Sequence, residues 1–164
     1  MEEMIKVGMA ELKVAKAPGK IAALGLGSCV AICAYDSVVK VGGIVHVMLP
    51  SSSMAVDGGI NRAKFADTAL PFLLEEIKKV GAEPNRLDIK LVGGAEMFVN
   101  EVKNGRLKIG ERNLKEIEEA CQKYGFKITG RCVGGNSGKS VTLDLDSGEV
   151  QVRTINGTVS MSKI

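Results

Sequence analysis

Histidine occurs once in this 164-residue chain, aromatic residues make up 4%, and the four cysteines form no C-x-x-C pair. Each scarcity removes a class of function. A single imidazole without paired cysteines leaves too few ligands for a zinc centre. Scarce aromatics, with a net charge of only +3 spread along the chain, argue against nucleic-acid binding, which needs clustered positive charge and stacking platforms. Long apolar runs are missing too. The longest, residues 21–35, falls short of the roughly 18 residues a helix needs to span a bilayer, and glycines interrupt it. The acidic start MEEMIKV does not resemble an export signal, so the expected location is the cytoplasm, with the cysteines as free thiols. The length suits one domain, residues 1–164, with a real core.

Against this background the one histidine stands out, because His46 follows Cys29 by seventeen residues in LGLGSCVAICAYDSVVKVGGIVHVMLP. Two β-branched segments, 30–35 and 41–49, flank a polar break at 36–40 and predict an antiparallel hairpin. A two-residue loop at Ser37 and Val38 sets Cys29 directly opposite His46. A loop centred on Val38 and Val39 leaves them diagonal but on one face, and an odd-length loop separates them onto opposite faces. Gly25 and Gly27 precede the thiol and permit a sharp turn. Its freed amides, near Gly27, Ser28 and Cys29, suit an oxyanion, with His46 lowering the thiol pKa and moving its proton. Inert packing is the alternative for a cysteine in an apolar run. Cys33 shares the face of Cys29, but about 13 Å of strand rise between them excludes a disulfide, so packing is its expected role.

The remaining pattern predicts a strand over 4–17, a turn at Pro18 and Gly19, a strand over 20–24, a polar loop over 51–59 placed as a rim or lid, and a strand over 87–92. A helix is expected over 61–80, kinked at Pro71 or starting late. A second helix is expected to be capped by Asn113 with Glu116 in the capping box, turning Leu114, Ile117, Cys121 and Tyr124 inward and ending at Gly125. Strands over 126–133, 140–146 and 149–155 complete an α+β fold. It is a layered sandwich of packed β-sheets with helices on an outer face.

Two motifs nearly fit nucleotide sites. GGNSGKS (134–140) has three residues where a phosphate loop needs four, and a strand pattern follows it. GLGSCV has Val30 where the third glycine of a dinucleotide fingerprint belongs. The carboxylate pairs Glu75/Glu76 and Glu118/Glu119 sit on polar helix faces and read as solvated surface.

The segments LGLGSC, GGIVHVMLP, GGAEMF and GGNSGKSV, in this order between about Val7 and Arg153, closely resemble the chemoreceptor glutamine deamidases of the CheD family. The resemblance implies a sandwich related to deamidating bacterial toxins, with Cys29 as nucleophile and His46 as its proton-transfer partner. It implies action on glutamine side chains of methyl-accepting chemoreceptors, without metal or organic cofactor, and binding to the chemotaxis phosphatase CheC. Members of the family carry a threonine six residues before the cysteine as a third catalytic group, and here that position is Ala23. A methyl group cannot orient an imidazole, so either the Ala23 carbonyl or Ser28 takes that part or turnover is impaired, and the carbonyl is the expected choice. Phe98 in GGAEMF is a candidate partner contact. A non-catalytic adaptor that binds receptors and activates a CheC-type phosphatase is the alternative reading.

Overall fold

The computed structural model describes residues 3–56, 59–96 and 108–161. Its strands are β1 (Met4–Lys6), β2 (Leu12–Lys16), β3 (Lys20–Leu26), β4 (Val30–Asp36), β5 (Val41–Val47), β6 (Asp88–Gly93), β7 (Ile128–Val133), β8 (Lys139–Asp144), β9 (Val150–Thr154) and β10 (Gly157–Met161). Helix α1 (Ala66–Lys79) lies between β5 and β6, and α2 (Ile109–Lys123) between β6 and β7. One sheet runs β1-β3-β8-β9-β10 and the other β2-β5-β4-β6-β7; β1–β3 and β6–β7 are parallel and the remaining pairs antiparallel. The layered α+β arrangement read from the pattern is the one found.

Side-chain alternation explains why β4 and β5 are buried along their whole length. Ala31, Cys33 and Tyr35 of β4, with Ile44 of β5, enter the layer between the sheets beside Ile21, Ala23, Leu26, Val141 and Leu143. The intervening Val30, Ile32 and Ala34, with Val41, Val45 and Val47, face Ala69, Leu70, Leu73 and Ile77 of α1 and Ile117 and Cys121 of α2. A strand covered on both faces has no polar side to show, which is why these segments read as continuous apolar runs.

Several local expectations need correction. The segment 4–17 is two strands in different sheets, because the chain breaks at Gly8–Ala10, where Ala10 has φ 61° and the Gly8 amide bonds the Glu11 carboxylate. The first long helix starts at Ala66 rather than Asn61: the Asn61 side chain accepts the Ala63 amide in a turn, and Pro71 sits inside the helix that follows. The segment 51–59 begins with a single helical turn at Ser52–Met54, tied by Ser52 to the Asp67 carboxylate. Asn113 does not cap α2, which begins at Ile109, so Asn113 and Glu116 lie inside the helix and no capping box forms. Tyr124 is exposed, and β10 follows a turn at Ile155–Asn156 that the pattern did not reveal. Cys33 and Cys121 are core residues, as read.

Candidate active site

The β4–β5 ladder pairs Val30 with Val47, Ala31 with His46 and Asp36 with Val41. The hairpin therefore adopts the register centred on Val38 and Val39, and His46 faces Ala31 instead of Cys29. One further rung would set Cys29 opposite Met48, leaving Cys29 and His46 diagonal on the same face, where such neighbours are about 7–8 Å apart. That face is the layer between the sheets, and Cys29 packs against its edge.

Backbone bonds hold the thiol's loop. The Gly94 amide donates to the Cys29 carbonyl at 2.8 Å and the Ala95 amide to the Gly27 carbonyl at 2.9 Å. This close approach requires Gly93, at φ 113°, because a Cβ there would lie 2.2 Å from the Cys29 oxygen. Gly25, at φ 67°, makes the irregularity in the β3–β8 pairing that turns the chain toward the loop. Among the described residues, no backbone acceptor engages the Gly27 and Ser28 amides.

His46 is 2% exposed. Its Nδ1 lies 3.5 Å from the Val7 carbonyl oxygen, and its Nε2 is buried without a partner among the described residues. A carbonyl only accepts, so this contact favours the tautomer protonated on Nδ1 and leaves Nε2 with its lone pair, the form a general base needs. Backbone bonds pin the surrounding chain: the Ala10 amide donates to the His46 carbonyl, and the His46 amide to the Glu11 carbonyl. Burial lowers the imidazole pKa below its ordinary value, opposed by the Val7 carbonyl and the Glu11 carboxylate.

Cys29 is half-buried. Burial raises its thiol pKa, with its own backbone amide opposing. The expected lowering of that pKa by His46 is therefore corrected: the ring is held neutral and offers no positive charge to stabilise a thiolate. The resting pair is a neutral thiol and a neutral imidazole. Cys33 and Cys121 are sealed in the core, where the same desolvation pushes their thiols up to about 12 and about 11.

Ala23 is fully buried in β3 and paired with Val141. The carbonyl that meets the imidazole belongs to Val7, whose amide bonds the Ala22 carbonyl, so the chain supplies this contact from the residue that follows β1, beside β3. Ser28 lies between Gly27 and Cys29 with its carbonyl turned to Asn113. Phe98 lies outside the described residues. Among the described residues, no three His, Cys, Asp or Glu side chains are grouped to hold a metal ion, and no helix is long and apolar enough to cross a membrane.

One residue escaped the sequence reading. Asn113 is fully buried, and its Nδ2 donates to the Ser28 carbonyl at 3.0 Å and the Met48 carbonyl at 3.1 Å. The signal was present: Asn113 shares the i, i+4, i+8 stripe of Ile117 and Cys121, so an inward polar residue was legible once the helix start was placed correctly.

The fold and this pair define an α+β sandwich with a thiol and an imidazole on one inner face. The family model described as "CheD chemotactic sensory transduction" matches residues 48–154. The "Probable chemoreceptor glutamine deamidase CheD" of Syntrophomonas wolfei is 44% identical over 155 residues, 94% of this chain and 96% of the relative. That of Pyrococcus abyssi is 43% identical over 164 residues, 100% of this chain and 99% of the relative. The "Chemoreceptor glutamine deamidase CheD" of Halalkalibacterium halodurans is 38% identical over 156 residues, 95% and 96% of the two chains. The chain belongs to the CheD family.

Proposed function

We propose that this protein converts glutamine side chains of methyl-accepting chemotaxis receptors to glutamate, with Cys29 as nucleophile and His46 as the proton carrier. The observation that carries the reading is the placement of both side chains on one face, with Nε2 of a neutral ring free of any described partner. The names of the relatives supply the substrate class.

The chemistry follows from the groups present. As the Cys29 sulfur bonds to the carboxamide carbon, its proton passes to His46 Nε2, and the negative charge that develops on the carbonyl oxygen meets the backbone amides of Gly27, Ser28 and Cys29. The imidazolium returns the proton to the amide nitrogen, the C–N bond breaks and ammonia leaves a thioester. Water then loses a proton to neutral His46 and attacks the thioester, and the proton goes to the departing sulfur. The Val7 carbonyl orients the ring throughout, the part that the family threonine would take at Ala23. A CheC-type phosphatase as partner and a cytoplasmic location complete the reading.

The test is incubation with receptor cytoplasmic fragments, peptide mapping for glutamine-to-glutamate conversion, and a parallel reaction with hydroxylamine. A thioester route yields the hydroxamate at the same positions in place of part of the acid. Conversion without hydroxamate contradicts the covalent route, and no conversion favours the adaptor.

A further inference from the structure

We propose that Asn113 is a positioning residue for this reaction: from the helix side of the sheet, its carboxamide sets the Cys29 loop against the strand that carries His46. The inference rests on the reading of Cys29 and His46 as nucleophile and base.

The β4–β5 ladder closes at Val30 and Val47, so Cys29 and Met48 lie past its last rung. Each side is then held by a different neighbour. Gly94 and Ala95, which follow β6, fix the carbonyls of Cys29 and Gly27, while the Lys64 carbonyl, ahead of α1, accepts from the amides of Met48 and Leu49. Neither set of bonds fixes one side relative to the other. Asn113 does, because the carbonyls of Ser28 and Met48 converge on its single Nδ2. An amide nitrogen has two hydrogens, and here they bridge the two chains where the ladder has ended. The side chain thus replaces a rung at the point where the diagonal separation of thiol and ring is decided. Its Oδ1 is buried with no partner among the described residues, so Asn113 itself is held there by these two donated bonds and by the packing of α2. Cys29 and His46 face the opposite side of the sheet, so the carboxamide acts on them through the main chain alone.

The test compares the full-length protein with Asn113→Leu, which keeps the volume and removes both donors, and Asn113→Asp, which turns a carboxylate toward two carbonyl oxygens. Circular dichroism and thermal melts give the folded fraction, and the nearly isosteric aspartate variant serves if the leucine variant does not fold. Two readouts are taken on folded protein: kcat and KM for deamidation of a receptor fragment, and the rate of Cys29 alkylation by iodoacetamide at pH 7 with Cys132 as internal reference. The expected result is a kcat about 10–100-fold lower, as for a reacting group misplaced by about 1 Å, with KM changed less than about twofold. Alkylation of Cys29, set by how its loop presents the half-buried sulfur, changes in rate while that of Cys132 is unchanged. Retention of kcat within about twofold, or losses that track only the unfolded fraction, overturns the proposal. Alkylation reports the setting of the Cys29 loop without any glutamine substrate. A shift in alkylation by a protein that deamidates nothing therefore refutes the proposed function and leaves the positioning intact.

Discussion

Ala31 faces His46 directly across the β4–β5 ladder, and Cys29, two residues before Ala31, therefore points into the same layer as the imidazole. Burial acts in opposite directions on the two groups: it holds the ring below its ordinary pKa and the thiol above its own, so both stay neutral around pH 7.

This sets the pH–rate profile. The active form, neutral thiol with neutral ring, is lost on the acid side when His46 gains a proton, below its ordinary 6.5, and on the alkaline side when Cys29 loses one, above its ordinary 9.0. We expect a kcat/KM plateau between these values. An alkaline limb below the ordinary thiol value, with the acid limb far below the ordinary imidazole value, would instead report a preformed thiolate–imidazolium pair, in which His46 lowers the thiol pKa.

Stability carries the same signature. The folded-state pKa of His46 is depressed, so its contribution is fully present above the unfolded value of about 6.5 and is lost as pH falls through the folded value, where the unfolded chain binds the extra proton. Chemical denaturation between pH 7 and 5 shows this decline in the native protein and a shallower one in His46→Leu. Equal slopes in the two proteins contradict a buried neutral ring.

Ala23→Thr tests which group orients the ring. Position 23 is fully buried, and Val7 already presents its carbonyl to Nδ1, so the added hydroxyl and methyl bring overpacking of about 1–3 kcal/mol and a change in rate below about tenfold. A gain of orders of magnitude assigns the task to the missing threonine.

How much of this was legible in the sequence depended on how local each determinant is. The hairpin, both helices and the layered class followed from periodicity, because burial on one or two faces writes itself directly into side-chain order. The hairpin's register was open between two choices, since the polar break 36–40 fits either loop. Packing against α1 and the second sheet selects the one in which Asp36 pairs with Val41. The Val7 contact was out of reach: a main-chain carbonyl leaves no trace in residue type, and the break at Ala10 that sends β1 and β2 into different sheets is marked only by Gly8. Asn113 was misplaced because an Asn ahead of an apolar periodic stretch fits a cap as well as it fits an inward polar residue, and only the true start at Ile109 separates the two.

Alkylation of the native protein offers a further check on the layers. Cys33 and Cys121, sealed in the core with thiols near about 12 and about 11, remain unmodified at pH 8 while half-buried Cys29 reacts. Peptide mass mapping after a short exposure reads this order, and labelling of Cys33 before Cys29 contradicts the placement of β4 between the two cores.

The most direct measurement is the mass of a receptor cytoplasmic fragment after incubation with the native protein, Cys29→Ala and His46→Ala, all shown to be folded. The native protein is predicted to add about 1 Da for each glutamine converted, and both variants to add none. The same gain produced by either variant contradicts the assignment of the reaction to this pair.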